Sequence, residues 1–349
     1  MSFVIRCDGS AKIGLGHVVR SCSLADALRV KNIKVIFVMK KLSESATRFI
    51  EAAGFPVILL DEAASTETLS KSDMQLTLET ATRNKAQGII VDHYDASAQN
   101  LNTLKNNGFR LAIIDDVADR NLSAADLILN QNLRAPSLNY VTAAHCTKLL
   151  GPRYALLRPD FSHRREQFKR TFSKHDHRTL ITLGGGETAP LCLQVLQSLE
   201  TVLQQLHIRC IIGGTAEISP ELLSQAQASR HQVQVLQNIT DMAEQMMWAD
   251  LSINAGGSTC WELCCLGVPM IVFSTSHDQD SNAHALAAEG CGLRFELETL
   301  HQQPDCLGER VADLLGTPEQ RQLFSQHAQT LVDGRGAWRV ADVLKDWTN

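Results

Sequence analysis

A chain of 349 residues with 44% hydrophobic and 20% charged residues has the make-up of a globular protein with full cores, in one very large or two ordinary domains. A formal net charge of −5 argues against nucleic acid as the main partner, and no stretch approaches the ~18 uninterrupted apolar residues of a membrane span. The opening Met1–Ser10 has neither the charged start nor the apolar run of a signal peptide, so a cytoplasmic protein is expected.

The first element is Phe3-Val4-Ile5-Arg6-Cys7, a short apolar run that reads as a strand. Val18, Val19, Cys22, Leu24, Ala25 and Leu28 then recur at helical spacing. Gly14, Gly16 and His17 therefore fall between the end of a first strand and the start of a first helix, where open α/β sheets bind ligands. Further strands are expected at 34–39, 57–60, 88–92, 110–115 and, shorter, near 126–129, with helices near 43–53, 69–86 and 97–107 between them. This alternation implies a parallel sheet covered on both faces. The stretch 134–177 breaks the rhythm with Pro136, Pro152, Pro159 and a charged run, and reads as the end of one domain and a connector. A second series opens on the strand Thr179–Leu183, the turn Gly184-Gly185-Gly186 and a helix from about Ala189. Strands near 207–212, 232–236, 250–253 and 268–273 follow, and then a helical tail. Two doubly wound domains are expected, 1–160 and 175–330, with a ligand cleft between them.

Three constellations have the chemistry of a site. Gly14-Leu15-Gly16-His17-Val18-Val19 is only part of a dinucleotide fingerprint, because Val19 takes the place of the third glycine and the second strand ends on Lys40-Lys41 rather than an acid. The positive end of a helix dipole disfavours an imidazolium at His17, which suits a base that takes a proton from water; a capping histidine is the competing reading. Asp92-His93-Tyr94 and Asp115-Asp116 stand at the carboxyl ends of strands in the same domain. Asp8 or Asp92 is expected to orient His17, with Tyr94 beside them, and Asp115 and Asp116 have turn-capping as their ordinary alternative.

In the second domain, the strand 251–253 ends at Asn254, Gly256-Gly257 make a turn, and Ser258 and Thr259 start a short helix. The backbone amides of such a turn form a ready pyrophosphate site, and Glu262, one turn on, is placed to accept ribose hydroxyls. Thr259-x-x-Glu262 is equally a capping box. Gln279 and Asn282 stand near the start of the next helix, as sugar-reading amides or as caps. Arg6 and Arg158 are candidate partners for phosphate charge. The ten cysteines lie mostly in apolar runs without zinc-site spacing and read as reduced core thiols, and His175-Asp176-His177 lacks a paired ligand cluster, so no metal is expected.

Taken in order, Arg6-Cys7-Asp8-Gly9-Ser10, Ile13 to Arg20, Asp92-His93-Tyr94, Ile114-Asp115-Asp116, Leu150 to Arg158, Asn254 to Thr259 with Glu262, and Gln279 with Asn282 resemble the PseG-like family of pseudaminic acid biosynthesis. Beyond it, they resemble the MurG-like GT-B glycosyltransferases. The resemblance implies the GT-B fold, with a final helix, 331–349, packing back on the N-terminal domain. It implies a cytoplasmic, monomeric, cofactor-free hydrolase that releases UDP from UDP-2,4-diacetamido-2,4,6-trideoxy-β-L-altropyranose by inverting attack of water. The position matching His17 is the base there, Gly257, Ser258 and Glu262 hold the nucleotide, and Gln279 and Asn282 read the sugar or its phosphate. Gly184-Gly185-Gly186-Glu187 departs from a Gly-Gly-x-Asp form by one methylene, which displaces the carboxylate by about 1.5 Å. Transfer of the sugar to an acceptor, or binding of a UDP-sugar without turnover, are the alternatives.

Overall fold

A computed structural model describes residues 1–10, 14–40, 42–60, 69–184, 188–214, 216–274 and 277–348. The chain forms two compact units: Met1–Ser10, Leu15–Pro159 and Arg335–Asn349 make the first, and the second is built mainly on Asp160–Gly334.

The first unit holds seven parallel strands: β1 (Ser2–Cys7), β2 (Lys34–Lys40), β3 (Val57–Leu60), β4 (Gly88–Asp92), β5 (Arg110–Ile114), β6 (Leu127–Asn130) and β7 (Thr147–Leu150). Their order is β3-β2-β1-β4-β5-β6-β7, so the winding direction reverses between β1 and β4. Near-continuous apolar runs such as Phe3-Val4-Ile5 and Ile89-Ile90-Val91 suit strands buried on both faces. Alternation sorts the side chains: Phe3, Ile5, Cys7, Ile90, Ala112 and Ile114 join one core, Val4, Val38, Ile89, Val91 and Ile113 the other. The first core also takes in Val18, Cys22 and Leu24 from the helix Gly16–Val30, and Val340 and Leu344 from the helix Gly336–Lys345. Gly88 lets the chain's end settle there, because a Cβ would come within 3.0 Å of the Trp347 ring.

The second unit carries β8 (Arg178–Thr182), β9 (His207–Ile212), β10 (Gln232–Gln237), β11 (Leu251–Ala255), β12 (Met270–Phe273) and β13 (Gly292–Phe295). These six parallel strands run in the order β10-β9-β8-β11-β12-β13, with the reversal between β8 and β11.

Two differences from the sequence reading have plain causes. The stretch read as a connector contains β7 and the helix Pro159–Gln167. Pro159 opens that helix, because a proline fits the first helical position, where no amide partner is needed. The helix and the strap that follows it are bound rather than loose. Arg170 donates to the carbonyls of Met246 and Ala249, and Arg165 to those of Cys265, Gln329 and Val332, all at helix C-termini. The four-residue strands β7 and β13 were not foreseen; both are sheet edges.

Candidate active site

The first unit's site grows from the reversal between β1 and β4. Cys7 and Asp92 are lateral partners in register, so Asp92 points to the face that carries the helix Gly16–Val30. There its carboxylate meets that helix's first turn. His17 Nδ1 lies 2.6 Å from Asp92 Oδ1, and Arg20, one turn on, donates from Nη2 to Oδ1 at 2.6 Å and from Nε to Oδ2 at 2.7 Å. The Ser21 hydroxyl adds a bond to Oδ2 at 3.3 Å. Arg20 Nη1 reaches on to both oxygens of Asp116, at 3.1 and 2.8 Å, and Asp116 also accepts from Tyr94 Oη at 3.2 Å and Asn132 Nδ2 at 3.0 Å. The Tyr94 ring stands edge-on to the imidazole, centroids 4.8 Å apart.

The protonation pattern follows from the partners. Burial alone would raise the carboxyl of Asp92, but the charge of Arg20 and the contact with His17 outweigh it and hold the group well below the usual carboxylate range. An ionised carboxylate only accepts, so Nδ1 of His17 carries the hydrogen of this bond, which in the neutral ring places the lone pair on Nε2. Arg20 Nη2, though 3.1 Å from Nδ1, is a second donor converging on the same oxygen. The His17 side chain is 10% exposed and Asp92 not at all, so a buried acid orients a nearly buried imidazole.

Of the other acids, Asp8 does not assist His17. It points to the opposite face of the sheet, where it binds Arg6 Nη2 at 2.7 Å, the Lys40 amide at 2.8 Å and His93 Nε2 at 3.2 Å. Arg6 is fully buried between Asp8 and Asp73, which removes it as a phosphate ligand. Asp115 serves its turn, accepting from the amides of Val117 and Ala118 and holding Ala118 at φ 57°. Asp116 was read, with Asp115, as a strand-end acid or a turn cap, but Arg20 and Asn132 were not singled out. The i, i+3 spacing of His17 and Arg20 on one helix face was the available signal for the first of them. Gly14 turns the chain at φ 73° and Gly16 opens the helix; Arg158 lies half-buried at the end of the unit.

In the second unit, β11 leads through Ala255, Gly256 and Gly257 into the helix Thr259–Leu266. The capping box is not formed: Ser258 is the N-cap and makes no side-chain cap bond. Among the described residues, nothing accepts from the amides of Gly257, Ser258 and Thr259, a set of donors at the positive end of a helix. Glu262 is half-buried one turn on. Gln279 and Asn282 are brought to this turn. A Cβ on Gly256 would stand 2.6 Å from the Gln279 carbonyl oxygen, and Asn282 Nδ2 donates to the Gly256 carbonyl at 3.2 Å. Asn254, expected on the ligand side, is instead fully buried and donates to the Ala255 carbonyl at 3.0 Å and Cys260 Sγ at 3.2 Å, shaping the turn from within. Burial pushes the Cys260 thiol up to about 12, where it is no nucleophile. Gly185, Gly186 and Glu187 lie outside the described residues. All ten cysteines are unpaired, and Asp176 of the 175–177 group is taken by Arg321 and the Ser173 amide. Among the described residues no helix is long and apolar enough to cross a membrane.

Two parallel sheets, each with a winding reversal where the candidate residues stand, define the architecture, and the solved structures agree. The chain superposes on MurG of Acinetobacter baumannii with a TM-score of 0.69 over 99% of each chain at 16% identity, which establishes the GT-B fold. Residues 179–336 match the model of the glycosyltransferase family 28 C-terminal domain. The chain is 26% identical to the spore coat polysaccharide biosynthesis protein SpsG of Bacillus subtilis over 98% of its own length and 97% of that protein's. It is 28% identical to an uncharacterized protein of Methanocaldococcus jannaschii over 78% of its own length, spanning 55% of that relative.

Proposed function

We propose that the chain acts on a nucleotide sugar, breaking the bond between the anomeric carbon and the diphosphate with His17 as base. The observation that carries this is the His17–Asp92 pair, which leaves Nε2 as acceptor beside a buried, ionised carboxylate. In the proposed step, Nε2 takes the proton of an attacking hydroxyl as its oxygen bonds to the anomeric carbon from the opposite face. The carbon–oxygen bond to the diphosphate breaks, its electron pair leaves with UDP, and the configuration inverts. The amides of Gly257, Ser258 and Thr259 take up the diphosphate charge, and Glu262 accepts from the uridine ribose. The imidazolium that forms is offset by Asp92.

What attacks decides the reaction. The family 28 match and the polysaccharide-biosynthesis relative support transfer of the sugar to an acceptor hydroxyl. A second reading, hydrolysis of UDP-2,4-diacetamido-2,4,6-trideoxy-β-L-altropyranose with water as acceptor, draws support from a specific coincidence. The motifs that carry the resemblance to PseG-like hydrolases join into buried polar networks, those around His17, Asp92 and Asp116 into one at His17 and that around Arg6 into another on the opposite face of the sheet. Phosphorus and proton NMR of the chain with that UDP-sugar, and separately with UDP-N-acetylglucosamine plus lipid-linked and soluble sugar acceptors, separates the readings. UDP and free sugar without acceptor support hydrolysis, and acceptor-dependent UDP release with a new glycoside supports transfer. Binding of every donor with no UDP release from any would overturn the proposed function and leave a binding protein.

A further inference from the structure

Arg20 ends one of the stretches that carry the resemblance, but neither that reading nor the base mechanism gives it a role. Its guanidinium is a bridge: Nε and Nη2 clasp both oxygens of Asp92, while Nη1 holds both oxygens of Asp116. With His17 Nδ1 and the Ser21 hydroxyl, these bonds occupy the four acceptor positions of the Asp92 carboxylate. The carboxylate is thus fixed in plane and rotation, and with it the imidazole. The same guanidinium nitrogen that bonds Asp92 Oδ1 lies 3.1 Å from His17 Nδ1, close enough to act on the ring's charge directly.

We propose that Arg20 is a positioning and tuning residue: it aligns Asp92 for His17 and opposes the proton that two neighbouring carboxylates would otherwise hold on the imidazole. The proposal rests on the reading of His17 as the base. A base must be empty to act, and an acid partner works against that. Asp92 orients the ring, but an unopposed buried carboxylate in contact with it would stabilise the imidazolium. Arg20, placed against Asp92 and shared with Asp116, limits that pull while keeping the alignment. Among the described residues, the groups facing His17 are Asp92 from the end of β4, Arg20 from its own helix and the Tyr94 ring after β4. Asp116 acts at one remove, by drawing on the charge of Arg20. That division makes a signed prediction. Removing the positive charge at Arg20 raises the pH at which His17 titrates, and removing the negative charge at Asp116 lowers it.

The experiment is a pH titration of the histidine ring signals of the full-length chain by nitrogen-15 NMR, with His17 assigned from a His17→Gln sample. Arg20→Gln is expected to raise the His17 midpoint by about one unit or more, the size of a neighbouring-charge effect. Arg20→Lys, which keeps the charge and loses the fork, is expected to hold the midpoint near that of the unmodified chain. It should slow turnover without moving its pH profile. Asp116→Asn is expected to shift the midpoint down, and it tests the same idea if Arg20→Gln does not fold. A folded Arg20→Gln with an unmoved midpoint, or an Asp116→Asn that raises it, overturns the proposal. The titration needs no substrate, so it is decided separately from the proposed function. Failure of every donor to turn over would overturn that function and leave the ring titration to stand.

Discussion

The end of the first sheet contains two aspartate–histidine pairs, and they are crossed. His17 follows β1 but pairs with Asp92 at the end of β4; His93 follows β4 but pairs with Asp8 just past β1. In the first pair, Nδ1 is bound and Nε2 is left for chemistry. In the second, Nε2 donates to Asp8 and Nδ1 accepts from the Asp95 amide at 3.1 Å, so both nitrogens are occupied. On the proposed function, the first pair moves a proton. The second fastens two adjacent strands, helped by Arg6, Asp73 and Lys40. Residue type alone does not separate them; what separates them is which face of the sheet each aspartate points to, and how many partners each ring has.

Three substitutions and one acid titration can break or sharpen this contrast. The largest effect is expected for Asp92→Asn, which strips Arg20 of its closest counter-ion and turns one of the two acceptor oxygens into a donor, so the His17 tautomer is no longer fixed. Turnover should fall by about 10⁴, as in other His–Asp arrangements. Stability in urea should fall by about 3–5 kcal/mol, the cost of breaking a buried ion pair. Next comes Asp8→Asn, measured the same way, where a loss of the same ~3–5 kcal/mol should come with turnover, per folded molecule, within a few-fold of the unmodified chain. His93→Gln is milder. It leaves Asp8 with one partner fewer and should cost about 1–3 kcal/mol. Smallest per site is the acid response. Although burial pulls both acids upward, Asp92 is held low mainly by Arg20, and Asp8 by His93 and Arg6. Both carboxylates therefore titrate below the unfolded value of about 3.9 in the folded chain. Their contribution is complete above that pH and is lost as pH falls below it toward the folded values. Urea midpoints measured from pH 6 down to pH 3 should fall most steeply below about pH 4, and the fall should be shallower in Asp8→Asn.

Much of this was legible. Apolar runs gave β1, β2, β4 and β5 within a residue or two, and the strand–glycine–helix transitions located His17, Asp92, Gly257 and Ser258 at sheet ends. The edge strands β7 and β13 were hidden because each is four residues long and part-polar: Thr147 and Lys148 are exposed, and Arg294 turns to Asp280 and Glu296. The choice of Asp8 or Asp92 as the partner of His17 was left open by motif position, yet it turns on parity. Residues 3, 5 and 7 of β1 face the helix that carries His17, residues 4, 6 and 8 face the other way, and register puts Asp92 with Cys7. Parity is written in the sequence, but register between parallel strands is set by packing and is not. The role of Asn254 failed for a related reason. The end of a strand supplies both the ligand face of a turn and its buried underside, and the fully buried Asn254 belongs to the underside.

The measurement that tests the central claim most directly is the rate of UDP release, under conditions where the unmodified chain turns over, for His17→Gln and His93→Gln side by side. Each would be paired with its urea midpoint. If the crossed pairs differ as their geometry implies, both variants lose about 1–3 kcal/mol of stability for the partner each takes from a buried aspartate, but only His17→Gln loses about 10²–10⁴ of the rate per folded molecule. A His17→Gln protein that still releases UDP at the unmodified rate would contradict the assignment of the base.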